Sequence, residues 1–269
     1  MSMKIISLFS GAGLLDLGLI NAGNKVIFQC EKEPIQLKIL QATFPKILKH
    51  NDITTLSKEV FDYYGIETKN CAFAGGAPCQ KHSFANPRRS QQIASKLLAQ
   101  LVKLTYTCRP RFVLVENVYG FITDRNGTTW LSSRMAKIGY FGQILCFPAK
   151  ALGAPHKRER IFALYCRDQI LPNTDSQFRY MEQFTAHRIL QEVTPGLWGN
   201  RLISQPAIRR VAYGYRQVPD SVKKCLQIIG NGVVYDVGFF IGKSLKMLDD
   251  YFYESEEGKK LLKIPYNHY

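Results

Sequence analysis

No stretch of twenty apolar residues occurs in this 269-residue chain, which excludes a membrane-spanning helix of ordinary length. Its opening, Met1-Ser2-Met3-Lys4, lacks the charged, apolar and small-residue succession of an export signal. The expectation is a cytoplasmic protein without membrane attachment. The seven cysteines are odd in number and never fall as Cys-x-x-Cys pairs, so neither a zinc site nor a disulfide framework is supported. They read as reduced thiols in a reducing compartment, with no metal. No internal repeat or low-complexity tract stands out. Acidic residues are scarce, 21 against 36 Lys and Arg, and the resulting +15 favours a polyanionic partner. Charge alone would equally suit a solvated basic surface or an anionic membrane. What is plentiful is apolar: 46% of the chain, enough for one sizeable core and a small second lobe.

Short apolar runs of strand length alternate with helical periodicity through the first two thirds. Lys4 to Phe9, Lys25 to Cys30, Cys71 to Ala74, Phe112 to Val115, Gly142 to Phe147 and Ile161 to Tyr165 read as strands. Leu14 to Ala22, Pro34 to Phe44 and Ile93 to Tyr106 read as helices. This alternation predicts an α/β fold with a doubly wound, mostly parallel sheet that binds ligands at the strand C-terminal ends. From about Asp168 to Gln217 the rhythm breaks into turn-rich and aperiodic sequence. Regularity returns at Ser221, and Val233 to Leu248 is helical in spacing. The predicted division is a catalytic domain of residues 1–167 and 221–269 around a small irregular region of 168–220. A charged, aromatic tail from Glu254 to Tyr269 is expected to fray.

Four constellations fall at or beside strand ends. Ala74-Gly75-Gly76-Ala77-Pro78-Cys79-Gln80 places a lone cysteine past an apolar run and a Gly-Gly turn, where a displayed thiol can act as a nucleophile. A buried structural cysteine is the commoner fate of the type. Phe9-Ser10-Gly11-Ala12-Gly13 follows the first strand and opens a helix, a place where backbone amides approach a ligand. Glu31 stands twenty positions after Gly11, near the spacing at which an acid reaches a ribose hydroxyl. Asp52 can accept from an adenine amino group or simply cap a turn. Together these point to a nucleoside-bearing cofactor. Val113-Leu114-Val115-Glu116-Asn117-Val118 runs a buried strand into a carboxyl group whose pKa desolvation would raise, suiting it to protonate a heterocycle nitrogen. An exposed acid at a strand end is the plain alternative. In the basic run before Ile161, Arg158 and Arg160 share one face if the segment is extended.

These motifs resemble those of the cytosine-C5 methyltransferases, in particular the short bacterial and phage DNA enzymes. Phe9-Ser10-Gly11-Ala12-Gly13 is similar to that family's S-adenosylmethionine loop, Pro78-Cys79-Gln80 to its nucleophile motif, and Glu116-Asn117-Val118 to its glutamate motif. His156, Arg158 and Arg160 fall where the family has Gln-x-Arg-x-Arg, and Gly230-Asn231-Gly232-Val233-Val234 where it has its last cofactor motif. The resemblance implies Cys79 as nucleophile toward C6 of a flipped cytosine and Glu116 as the acid at N3. It implies Arg158 and Arg160 as their support. It assigns Phe9, Gly11, Gly13, Glu31, Asp52, Asn231 and Val233 to S-adenosyl-L-methionine. It further implies double-stranded DNA as partner, a monomer in solution, a cognate restriction endonuclease, and region 168–220 as the target reader, with Arg179, His187, Trp198 and Arg201 as its candidate side chains.

The chain departs from the pattern at Lys81-His82-Ser83, where Pro-Phe-Ser is common, at Leu14 in place of a third glycine, at His156, and at Tyr235 in place of a proline. A tRNA cytosine-C5 enzyme and a catalytically inactive DNA-binding homologue are the competing readings. A nicotinamide-dependent dehydrogenase fits the glycine loop and Glu31 but leaves Cys79 and Glu116 without a role.

Overall fold

A computed structural model describes residues 2–76, 87–123, 127–148, 158–167 and 235–261. The first half winds β1 (Lys4–Leu8), α1 (Leu14–Asn21), β2 (Lys25–Cys30), α2 (Pro34–Thr43), β3 (Leu48–His50), α3 (Lys58–Tyr63) and β4 (Cys71–Gly76). Then follow α4 (Pro87–Cys108), β5 (Phe112–Val118), α5 (Gly120–Thr123), α6 (Thr128–Lys137), β6 (Phe141–Pro148) and β7 (Glu159–Cys166). After the inserted region come α7 (Tyr235–Asp249) and α8 (Glu256–Leu261).

The seven strands form one sheet in the order β3-β2-β1-β4-β5-β7-β6. Pairings from β3 through β5 are parallel, whereas β7 runs antiparallel to both β5 and β6. Alternation along the strands sends side chains to two apolar layers. Ile6, Leu8, Phe28 and Phe73 pack with Phe61, Leu98, Leu101 and Leu131, so α3, α4 and α6 cover that face. Ile5, Val26, Ala72 and Leu114 pack with Leu15, Leu19, Val237 and Ile241, so α1 and α7 cover the other.

Helices α1 and α7 run in the same direction, with Gly18 against Gly238 and Ala22 against Gly242. A Cβ at Gly18 would lie 2.6 Å from the Gly238 carbonyl carbon, so this close approach depends on small residues. Tyr235 opens α7, and its hydroxyl accepts from Asn21 Nδ2 at 2.9 Å. Of the tail, Glu256–Leu261 is helical, with Gly258 close against the Tyr251 carbonyl, and residues 262–269 lie outside the described residues. Among the described residues no helix is long and apolar enough to cross a membrane.

Candidate active site

Strand order reverses between β1 and β4. β1 leads to a helix on one face and β4 is followed in the chain by a helix on the other, so their C-terminal ends mark a switch point, the place where open sheets of this kind hold ligands in a crevice. On one side of it lies the turn Phe9–Gly13. Phe9, Gly11 and Gly13 all have left-handed backbone, with φ of 57°, 57° and 79°. Gly13 caps α1 without a side-chain hydrogen bond, and a Cβ there would meet Phe44 Cε2 at 2.6 Å. At Gly11 a Cβ would meet nothing within 4 Å, so the backbone there faces open space. The Gly11 N–H donates to Glu31 Oε2 at 2.6 Å, and the Glu33 N–H to Oε1 at 2.8 Å. The spacing noted in the sequence thus corresponds to a direct contact between loop and acid. Phe9 is half-buried against the core.

Asp52 stands past the end of β3 and is engaged as a turn cap. Its Oδ1 accepts from the Thr54 N–H at 2.9 Å and the Thr54 hydroxyl at 2.8 Å, while Lys32 Nζ lies 2.9 Å from Oδ2. The Lys32 ammonium and then the Thr54 amide hold this carboxyl down at about 2. It is therefore a permanent anion whose oxygens already have partners.

On the other side of the crevice Glu116 lies two residues before the end of β5, 7% exposed. Its neighbour on β4 is Gly76, and its neighbour on β7 is Phe162. Oε1 receives Arg160 Nε at 3.0 Å. Oε2 lies over Gly76, 2.6 Å from where a Cβ would stand. Burial pushes the Glu116 carboxyl up to about 7, against the pull of the Arg160 and Arg158 charges. Burial and then Arg160 bring Arg158 down to about 10. The antiparallel course of β7 is what delivers these arginines, since it lays the start of β7 beside the end of β5, with Arg160 opposite Val118. The shared-face expectation assumed extended backbone through both. Arg158 instead has φ 25° and precedes β7, so strand alternation does not direct it, although its charge reaches Glu116. Asn117 is buried beside them, its Oδ1 accepting from the Val118 N–H at 2.8 Å.

Cys79, His156, Asn231 and Val233 lie outside the described residues, as does the whole region 168–220 with Arg179, His187, Trp198 and Arg201. The sequence reading passed over Ser7, Ser10, Asp16 and Gln29, a buried polar group directly beneath the Phe9–Gly13 turn. The signal was available: each of Ser7, Asp16 and Gln29 is a polar residue set within an apolar run. No group of three or more potential metal ligands occurs among the described residues.

Residues 3–205 match the model of the C-5 cytosine-specific DNA methylases. The type II methyltransferase M.NgoPII of Neisseria gonorrhoeae is 33% identical over 174 residues, which is 62% of this chain and 49% of that protein. The type II methyltransferase M2.BsuMI of Bacillus subtilis (strain 168) is 29% identical over 170 residues, 60% of this chain and 41% of its own. The chain spans about half the length of the curated relatives it matches. A candidate DNA modification methyltransferase encoded within an E. coli prophage shares the fold, with a TM-score of 0.55 at 23% identity over 65% of this chain and 50% of that one. A match that runs from β1 through β7 and beyond, over a sheet of this order, makes the chain a member of the C-5 cytosine-specific DNA methylase family.

Proposed function

We propose that this protein transfers a methyl group from S-adenosyl-L-methionine to C5 of a cytosine flipped out of double-stranded DNA. The observation that carries the proposal is the setting of Glu116: a buried carboxyl near neutral pKa, with one oxygen fixed by Arg160 and the other turned toward β4. Cys79 follows Gly76 by three residues, a reach of at most about 11 Å along the chain. Nucleophile and acid therefore leave adjacent strands at the same end of the sheet.

The chemistry needs both. C5 of cytosine is not nucleophilic in the intact aromatic ring, and the Cys79 thiolate, by adding to C6, passes electron density to C5. The protonated Glu116 carboxyl donates to N3 and stabilises the charge that this addition places on the ring. Arg160 keeps that carboxyl aimed and Arg158 adds positive charge beside it. The open space at Gly11 and the Glu31 carboxylate, which the Gly11 N–H holds in place, fit the amino acid and ribose of the donor, and Phe9 offers an apolar surface for its base. Asn231 and Val233 precede Tyr235, the first residue of α7, which packs beside α1 and so belongs to the same side of the crevice. Bound there, S-adenosylmethionine supplies an electrophilic methyl group. Once C5 carries that methyl, loss of its proton and departure of Cys79 by elimination restore the ring. Reaching C6 requires the base to leave the duplex, at a cost of about a few kcal/mol.

The +15 charge supports a phosphate backbone as partner. The naming of its relatives as type II methyltransferases supports a modification role beside a cognate restriction endonuclease. We place the protein as a monomer in the cytoplasm of a bacterial or phage-infected cell, with region 168–220 reading the target. Labelled-methyl incorporation into duplex DNA and into tRNA tests the reading. Incorporation into DNA that Cys79→Ser abolishes, with S-adenosylmethionine affinity kept, supports it; strict preference for tRNA, or full activity of Cys79→Ser, overturns it.

A further inference from the structure

Beneath the Phe9–Gly13 turn the sheet carries polar side chains in a layer that is otherwise apolar. Ser7 and Gln29 are register partners on β1 and β2, and both are fully buried, as is Asp16 in the first turn of α1. Ser7 Oγ donates to Asp16 Oδ1 at 2.6 Å, and Gln29 Nε2 donates to Oδ2 at 2.7 Å. A serine hydroxyl carries a single proton and Ser7 gives its own to Asp16, so in the 2.8 Å contact between the Ser7 and Ser10 hydroxyls Ser10 is the donor, sharing its proton with the Ser7 carbonyl at 3.3 Å. Donation therefore runs one way, from Ser10 to Ser7 to Asp16.

Ser10 belongs to the loop itself. Its N–H donates to the Cys30 carbonyl at 3.0 Å, and its own carbonyl accepts from the Gly13 N–H at 2.9 Å. The residue before it, Phe9, holds φ 57°, a conformation that a residue with a side chain keeps only when its surroundings over-determine it. Packing does not explain Asp16. Burial pushes its carboxyl up to about 6 despite the Ser7 and Gln29 hydrogen bonds, and a leucine would fill the space without that penalty.

We propose that Asp16 is a positioning residue for the methyl donor: through Ser7 it anchors Ser10 and so fixes the turn whose open face at Gly11 and whose contact with Glu31 line the crevice. The proposal rests on the reading that this turn holds S-adenosylmethionine. The acceptor role, rather than the charge, is what the relay needs. Gln29 Oε1 is buried without a hydrogen-bond partner, so turning that amide over lets it accept from a new amide at position 16 while Ser7 still donates.

The test is calorimetric titration of S-adenosylmethionine into the full chain and its Ser10→Ala, Asp16→Leu and Asp16→Asn variants, with melting temperatures measured without ligand. Ser10→Ala cuts the relay at the loop and leaves the Asp16 to Gln29 contact in place, so its fold survives even if Asp16→Leu does not. The expected result is a Kd raised about tenfold in Ser10→Ala and Asp16→Leu, and restored to within about twofold of the parent in Asp16→Asn. A lowered melting temperature with an unchanged Kd in Ser10→Ala would mean that the group only holds the core together, and would overturn the proposal. No binding by the unsubstituted protein would overturn the cofactor reading of the loop, and the positioning role with it.

Discussion

Glu116 has two oxygens with different neighbours, and that division sets its chemistry. Arg160 holds Oε1, so any proton available to a substrate resides on Oε2, over Gly76. With a pKa near 7 the carboxyl is about half protonated at neutral pH and can both donate to and accept from a ring nitrogen. Loss of this proton as pH rises past about 7 should lower the rate of methyl transfer about tenfold per pH unit, read from single-turnover rates at saturating DNA. Arg160 opposes the upward push of burial, so in Arg160→Gln the falling limb should move to higher pH as the overall rate drops. A limb that stays in place would detach the profile from Glu116. Glu116→Gln, which keeps shape and loses the acid, should cost about 10²- to 10⁴-fold in rate with little change in S-adenosylmethionine affinity.

At the scale of elements, the strands and helices that the sequence makes plain are the ones whose apolar period is unbroken. Lys25 to Cys30 and the α1 helix emerge almost at their observed bounds. The short strand Leu48–His50 and the six-residue helix Lys58–Tyr63 did not, because three residues with a lysine and a histidine, or less than two turns, carry too little periodicity. Helix α4 begins at Pro87, earlier than the expected Ile93, since proline suits a first turn whose N–H groups lack partners anyway. The direction of β7 was also hidden. An apolar run has the same pattern read either way, yet the antiparallel course is what brings Arg160 to Glu116. Site residues linked by a recognisable spacing along the chain, such as Gly11 and Glu31, were legible; those linked only through the core, such as Asp16 and Ser10, were not. The close pairing of α1 and α7 yields a prediction at this scale. Gly18→Val forces side-chain atoms into the Gly238 backbone and should destabilise the protein by about 1–3 kcal/mol in denaturant unfolding. It should also weaken S-adenosylmethionine binding, because Asn231 and Val233, proposed to line the cofactor, immediately precede α7 in the chain.

For the whole molecule two buried carboxyls tilt stability with pH. Glu116 and Asp16 both have folded-state values above their ordinary ones, near 7 and 6, so the folded protein binds more protons than the unfolded chain between about pH 4 and 7. Their contribution is complete below pH 4 and declines as pH rises through 7. Glu116→Gln should remove its share, on the order of 3 kcal/mol, from the pH 5 to pH 8 difference in unfolding free energy. Equal pH slopes for parent and variant would contradict the buried, raised-pKa setting. The +15 charge belongs to this scale as well. DNA affinity should fall steeply with salt, by at least about tenfold between 50 and 200 mM if phosphates are the main contact, as a log–log plot of filter-binding constants would record.

The account depends most on a sulfur–carbon bond between Cys79 and the cytosine ring. Incubation with S-adenosylmethionine and duplex DNA carrying 5-fluorocytosine at the target site reads that bond directly, because fluorine at C5 blocks the closing elimination. A protein–DNA adduct that survives denaturation and vanishes in Cys79→Ser is the predicted result. Methylation of ordinary DNA without any such adduct, or an adduct that persists in Cys79→Ser, would contradict it.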